Sequence, residues 1–199
     1  MASAMKKILR PLRVRRSIVF PLFQAWEPTV EEAMRCFQSP DVQWAMLQHA
    51  ERAHKYAVAY QHIRPLSYRG FNVAAFAAGL KPIPGRQGKC SWDFTWDINT
   101  KPHKNAPKYC AEMRVFRRAR ARGWLCMPCL AVVGYHQPEE PWPTLHPCRD
   151  CRTQMRTPLY CPFMLPKTLI LTAEPGIALY EEYTFERLMR YHSDSPAAA

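Results

Sequence analysis

Apolar positions switch between two periods along this chain, and the switches mark out its elements. Met46, Ala50, Ala53, Ala57 and Tyr60 recur at spacings of four and three, the stripe of a long helix buried along one side. A shorter helix is expected ahead of it, from Glu27 to about Gln38, with Pro40 as its stop. Phe71 to Leu80 is a small-residue apolar run, as in a central strand covered on both faces. The turn Pro82-Ile83-Pro84-Gly85-Arg86-Gln87-Gly88 leads to a second strand. There Trp92, Phe94, Trp96 and Ile98 alternate with Ser91, Asp93, Thr95 and Asp97, a period of two. The four large residues should cover a helix or form an interface.

A loop from Asn99 to Lys108 precedes a helix opened by Cys110 and running through Val115 and Ala119 towards Gly123. Trp124 to Val133 reads as a buried strand. A Pro-rich loop, Gln137 to His146, then leads to a helix begun by Pro147-Cys148, since Pro suits a first helical turn. Thr168–Thr172 and Ile177–Tyr180 read as two last strands around Pro175-Gly176, and a helix from about Thr184 closes the domain. Helix, two strands, helix, strand, helix, two strands, helix is the order of an α/β protein. It predicts a three-layer α/β/α sandwich on a mixed five-stranded sheet.

The chain's 199 residues suffice for one domain, expected over 27–193, with a basic arm over 1–26 and a tail over 194–199. No apolar run approaches membrane-spanning length, which predicts a protein without a membrane span. The arm carries Lys6, Lys7, Arg10, Arg13, Arg15 and Arg16 and no acid, half of the chain's net +12. Such a start fits an organelle transit peptide, a basic arm for an anionic surface, or a loose terminus. Eight cysteines without a secretory signal point to a reducing compartment, the cytoplasm or an organelle, and to metal chemistry instead of disulfides.

Two short segments hold that chemistry. Cys110-Ala111-Glu112 and Pro147-Cys148-Arg149-Asp150-Cys151 supply three thiolates and a carboxylate in the order of a zinc-activated hydrolytic deaminase. Three protein ligands leave the fourth position of a tetrahedral zinc open for water. A carboxylate that does not bind the metal can then move the proton of that water to the substrate. Cys110, Cys148 and Cys151 are the candidate Zn²⁺ ligands and Glu112 the candidate proton shuttle. The competing reading joins Cys126-Met127-Pro128-Cys129 to Cys148 and Cys151 as a structural four-cysteine site. Against it, a strand should turn Cys126 and Cys129 to opposite faces. It also leaves Cys110-Ala111-Glu112 without a role.

With these residues in view the chain resembles the cytidine deaminase family over roughly residues 44–190. Leu66-Ser67-Tyr68-Arg69-Gly70-Phe71-Asn72-Val73-Ala74-Ala75 is similar to the family's Tyr-Ser-x-Phe-x-Val-Gly-Ala first strand. Tyr183-Thr184-Phe185-Glu186-Arg187-Leu188-Met189 is similar to its closing Tyr-Thr-x-Glu-x-Leu-Leu helix. The resemblance implies attack of zinc-bound hydroxide on C4 of cytosine, with Phe71, Asn99, Lys101 and Ala111 beside a cytosine nucleoside or nucleotide. It also implies a homo-oligomer, tetramer or dimer. Three positions depart from the family. Its Asn-x-Glu is here Asn99-Thr100-Lys101, and a Lys suits a phosphate better than a neutral sugar. The Arg that usually follows Cys-Ala-Glu is Met113, leaving Arg152 or Arg114 to offset a zinc–trithiolate site of net negative charge. Small residues after Pro-Cys are replaced by Arg149 and Asp150.

Three functions stand open at this point. The first is deamination of a free cytosine nucleoside or close derivative. The second is deamination within single-stranded DNA or RNA, for which the net charge and the row Arg114, Arg117, Arg118, Arg120 and Arg122 speak. That row also reads as a solvated helix face. The third is a zinc-binding protein that keeps the fold without the activity.

Overall fold

Thr29 opens helix α1 (Val30–Cys36) with a reciprocal pair of hydrogen bonds. Its hydroxyl accepts from the Glu32 N–H at 3.2 Å, and the Glu32 carboxylate accepts from the Thr29 N–H at 2.7 Å. The helix is shorter than the sequence pattern predicted. Pro40 does not stop it but is the first residue of α2 (Pro40–Ile63), where a missing N–H costs nothing. The computed structural model describes residues 23, 25–63, 72–100, 109–135 and 144–193. Phe71, Lys101, nearly all of the arm over 1–26 and the tail over 194–199 lie outside the described residues.

Five strands form one mixed sheet in the order β2-β1-β3-β4-β5. β1 (Val73–Pro82) pairs antiparallel with both β2 (Cys90–Ile98) and β3 (Cys126–Gly134). β4 (Leu169–Ala173) runs parallel to β3, and β5 (Tyr180–Thr184) returns antiparallel to β4. Between them lie α3 (Ala111–Ala121) and α4 (Arg149–Met155), and α5 (Phe185–Ser193) ends the described chain. The final strand begins later than expected. Gly176 and Ile177 both take positive φ, +90° and +48°, so the turn after Pro175 carries Ile177 out of strand conformation. Ile177 is nonetheless buried, which is why its apolar run reads as strand in sequence. Tyr183 and Thr184 accordingly finish β5 instead of opening the last helix.

Alternation along β1 builds the two sides of the core. Val73, Ala75 and Ala77 pack with Val115 and Phe116 of α3, Met155 of α4 and Leu188 of α5. Phe76 and Ala78 turn the other way, towards Phe37, Met46, Leu47 and Ala50 at α1 and α2. The layers are therefore α1–α2, sheet, and α3–α4–α5, the expected α/β/α sandwich. Among the described residues, no helix is long and apolar enough to cross a membrane. Small side chains along β1 let both helical layers approach closely. Gly79 is the extreme case, with the Trp124 indole lying directly over it. Trp124 is itself held by Nε1 donating to Asp93 at 2.9 Å.

Gly79→Ala should therefore be costly, because its Cβ would land inside the indole ring of Trp124. A loss of about 1–3 kcal/mol is expected for such overpacking. Urea unfolding of the two proteins checks it, and an unchanged midpoint would mean Trp124 can swing aside.

Candidate metal centre

Two helices begin with cysteine. Cys110 is the N-cap of α3, and Cys148 is the N-cap of α4, with Cys151 three residues on. An antiparallel bridge between Thr100 and Tyr109 returns the chain to the sheet one residue ahead of Cys110. The Sγ atoms of Cys110 and Cys148 are 3.4 Å apart, and those of Cys148 and Cys151 3.5 Å. All three sulfurs lie within 4.8 Å of one another. Zn–S bonds of about 2.3 Å at tetrahedral angles separate sulfurs by about 3.8 Å, so the set fits that ion.

The three sulfurs share their protons unequally, and Cys148 is the one that holds the charge. Hydrogen bonds from the Cys110 and Cys151 thiols bring Cys148 down to about 2, with further help from the Cys151 and Asp150 backbone amides. The same sharing pushes Cys110 up to about 12, aided by burial and by the charges of Glu112 and Cys148. Cys151 is raised strongly for the same reasons. Two protons thus hold three sulfurs together, and a divalent cation of matching size releases both. Glu112, the second residue of α3, is buried with 3% of its surface exposed. Its charge helps to raise both Cys110 and Cys151.

The remaining candidates fall unevenly. Asn99 is buried at the end of β2, its backbone N–H donating to Val73 O and its Oδ1 accepting from Val73 N, both at 3.0 Å. That pairing closes the start of β1 against the end of β2. Ala111, the first residue of α3, is fully buried in the core. Phe71 and Lys101 lie outside the described residues.

The arginine row turns out to be mostly structural. Asp97, buried on β2, takes Arg114 Nε at 2.8 Å and Arg118 Nη2 at 2.8 Å. One helical turn further, Arg122 reaches Asp93 at 3.3 Å. Arg114 also donates to Thr100 Oγ1 at 2.8 Å, and Arg118 to the Trp96 carbonyl at 2.9 Å. Positions i, i+4 and i+8 therefore lash α3 along β2. Arg114 is held in this clamp by both Asp97 and Thr100. Arg152 donates to the Pro147 carbonyl at 2.5 Å, beside Cys148. Arg117 lies over the Tyr109 ring at 5.1 Å, and Arg120 is exposed.

A second group sits below Cys148 and escapes sequence reasoning. Thr144 Oγ1 donates to Glu181 at 2.6 Å and meets Thr172 Oγ1 at 2.7 Å. His146 Nε2 lies 3.3 Å from the same Glu181 oxygen and 3.1 Å from Tyr183 Oη. Burial pushes the Glu181 carboxyl up, but hydrogen bonds from His146 and Thr144 outweigh it and hold it below its usual range. The network ties the segment ahead of Cys148 to β4 and β5. Its only sequence signal was polar residues close to apolar ones, the Glu181-Glu182 pair between Tyr180 and Tyr183 and His146 before Pro147.

The four-cysteine alternative fails, though not for the expected reason. A register irregularity opposite Ala78 and Leu80 leaves Cys126 and Cys129 on the same face of β3. Cys126 packs with Met34 and Ala33 of α1, and Cys129 feels Cys36 at that helix's end. Both lie on the side of the sheet away from α3 and α4. Among the described residues, only Cys110, Cys148 and Cys151 converge as a set able to hold a metal.

No protein-family model and no curated protein matches the sequence. Among solved structures the chain is similar to the 1.6 Å crystal structure of cytidine deaminase from Burkholderia pseudomallei. The match has 18% identity and a TM-score of 0.49, over 72% of this chain and 93% of that one. Values at this level establish neither family nor activity.

Two outcomes test the centre. Cys126→Ser with Cys129→Ser should leave zinc content per chain unchanged by atomic absorption, whereas Cys148→Ser should lose it; a joint loss would restore the four-cysteine site. Asp97→Ala should cost about 1–3 kcal/mol in chemical unfolding, the buried-pair penalty discounted for the half-exposed arginines. It should also weaken zinc affinity, since the clamp sets α3 and Cys110 rides on α3. Unaltered affinity would detach the clamp from the metal centre.

Proposed function

We propose that this chain is a zinc-dependent hydrolytic deaminase that converts cytosine to uracil in a free cytidine or deoxycytidine nucleoside or a close derivative. The observation that carries the reading is the meeting of three sulfurs at two helix N-termini with a buried carboxylate that is not one of the set. Cys110, Cys148 and Cys151 hold the ion. When bound, zinc supplies a Lewis acid that brings the ionisation of water into the neutral range. Glu112 takes a proton from the attacking water and delivers it to N3 of the ring, then passes the second to the departing amino group. Water and the C4–NH₂ bond are consumed, and C4=O and ammonia result. Burial of Glu112 beside thiolates keeps the proton on a short path and away from bulk solvent.

Asn99, held at the end of β2 by its hydrogen bonds with Val73, is the residue that the resemblance sets beside the sugar. Lys101 follows two residues later and supplies a point charge for a phosphate on the substrate. Deamination within a polynucleotide is the weaker reading, because three of the five arginines that favoured it are engaged by Asp97 and Asp93.

The test is ammonia release by zinc-loaded protein given cytidine, its monophosphate, and single-stranded DNA or RNA. Turnover is expected on the small substrates and should fall by about 10²–10⁴-fold in Glu112→Gln, with zinc content unchanged. Turnover confined to the polynucleotide would replace this reading. Silence on every substrate with one zinc per chain would leave a protein that binds metal without this chemistry.

A further inference from the structure

On the face of the sheet away from the three cysteines lies a cavity of about 440 Å³. His49, Arg52, Ala53 and Tyr56 form one wall, spaced i, i+3, i+4, i+7 along a single stripe of α2. Phe76 and Trp96, directly paired across β1 and β2, form the other. Thr95 and Asp97, the neighbours of Trp96 in sequence, point to the opposite face, where Asp97 grips α3. The sheet therefore separates this cavity from the metal centre.

Its lining is rings and one guanidinium. His49 stacks on Phe76 at 4.9 Å and 23°. Tyr56 meets Trp96 edge to face at 5.6 Å and 76°. Trp92, at the other end of the same strand face, is covered by Phe23, Trp26 and Phe37. Trp96 is not: 41% of its surface is exposed, and 56% of Tyr56. Among the described residues, no carboxylate lines the cavity. The neighbouring acid, Glu51, is turned to the Gly176 N–H and to Lys55. Arg52, unlike Arg114, Arg118 and Arg122, has no carboxylate within ion-pair distance among the described residues. Burial and the charge of Arg52 bring His49 down to about 4, so at neutral pH Arg52 is the charge that the described lining carries.

We infer that this cavity is a second binding site, for a nucleobase that carries a phosphate. The volume falls in the range of small-molecule sites. The exposed ring faces take a flat π-system of any base, and a guanidinium recognises phosphate through its fork of donors. A hydrocarbon would leave Arg52 unanswered, and a simple anion would leave the rings unused. The net charge of +12 draws such ligands to the chain as a whole. The base arrives either on a free nucleotide or on a single strand, and the site's chemistry is common to both. The inference does not rest on the deaminase reading.

The experiment titrates zinc-loaded full-length protein with adenosine 5′-monophosphate, adenosine and a deoxyadenylate decamer, following tryptophan fluorescence. The purine keeps the probe distinct from a cytosine substrate. The monophosphate should quench the signal and bind about tenfold more tightly than adenosine, the worth of one charged hydrogen bond. Arg52→Glu, at an exposed position, should weaken it by at least about tenfold. Trp96→Phe should remove the quench while calorimetric binding persists, and Trp96→Ala should lose the binding as well. Cys148→Ser should leave all of this intact. A decamer bound far more tightly than the monophosphate, steeply salt-dependent and lost in Arg52→Glu, would identify the source as a single strand. Absence of binding by either probe, or binding indifferent to both Arg52 and Trp96, would overturn the site. So would self-association of the chain abolished by Trp96→Ala, which would make a second copy the occupant.

Discussion

Asp97 is the point on which the arrangement turns. A buried carboxylate on β2 is tolerable only with cations brought to it, and here Arg114 and Arg118 arrive from adjacent turns of α3. The pairing sets the helix on the sheet both in rotation and along its axis. Once α3 is set, Cys110 at its N-cap and Glu112 in its first turn have their places. Asn99, two residues beyond Asp97, is brought to the same end of the sheet through its hydrogen bonds to Val73. One ion-pair cluster thus links the strand that ends near the centre to the helix that begins it.

The other half of the centre is held by different means. The segment ahead of Cys148 descends into the Thr144–His146–Glu181–Tyr183 network, which joins it to the far strands β4 and β5. Because each ligand-bearing helix is tied to its own side of the sheet, the sulfurs meet only where the sheet is correctly formed. A centre so divided couples metal affinity to folding, since neither half assembles it alone. At the start of α4 the Cys148 sulfur accepts from the Cys151 and Asp150 backbone amides, while Arg152 donates to the Pro147 carbonyl.

The two faces of the sheet serve different ends. Towards α3 and α4 the strands present aliphatic residues such as Val73, Leu130 and Ile170, and Asp97 at one edge. Towards α2 they present large rings, closed over by Phe23, Trp26 and Phe37 at one end and open at Trp96 at the other. A strand with strict alternation makes such a separation available without any communication through the core.

Much of this was legible in the residues themselves. The elements came from local periodicity, and the metal set from residue type and spacing, because ligand chemistry is severe enough to leave a mark in a short motif. The errors share a cause. Pro40 was read as a stop because proline marks a helix boundary without saying which side of it. Ile177 was read as strand because burial, not conformation, makes a residue apolar. Cys126 and Cys129 were expected on opposite faces because a bulge in β3 depends on its partner strand. Arginines 114, 118 and 122 read as a charged surface because nothing in a helix reveals the aspartates of a distant strand. The sequence by itself determined which side chains have the chemistry and the order of the elements that carry them. Only the tertiary structure decided what covers each face, since that depends on contacts between residues far apart in the chain, which no local period records.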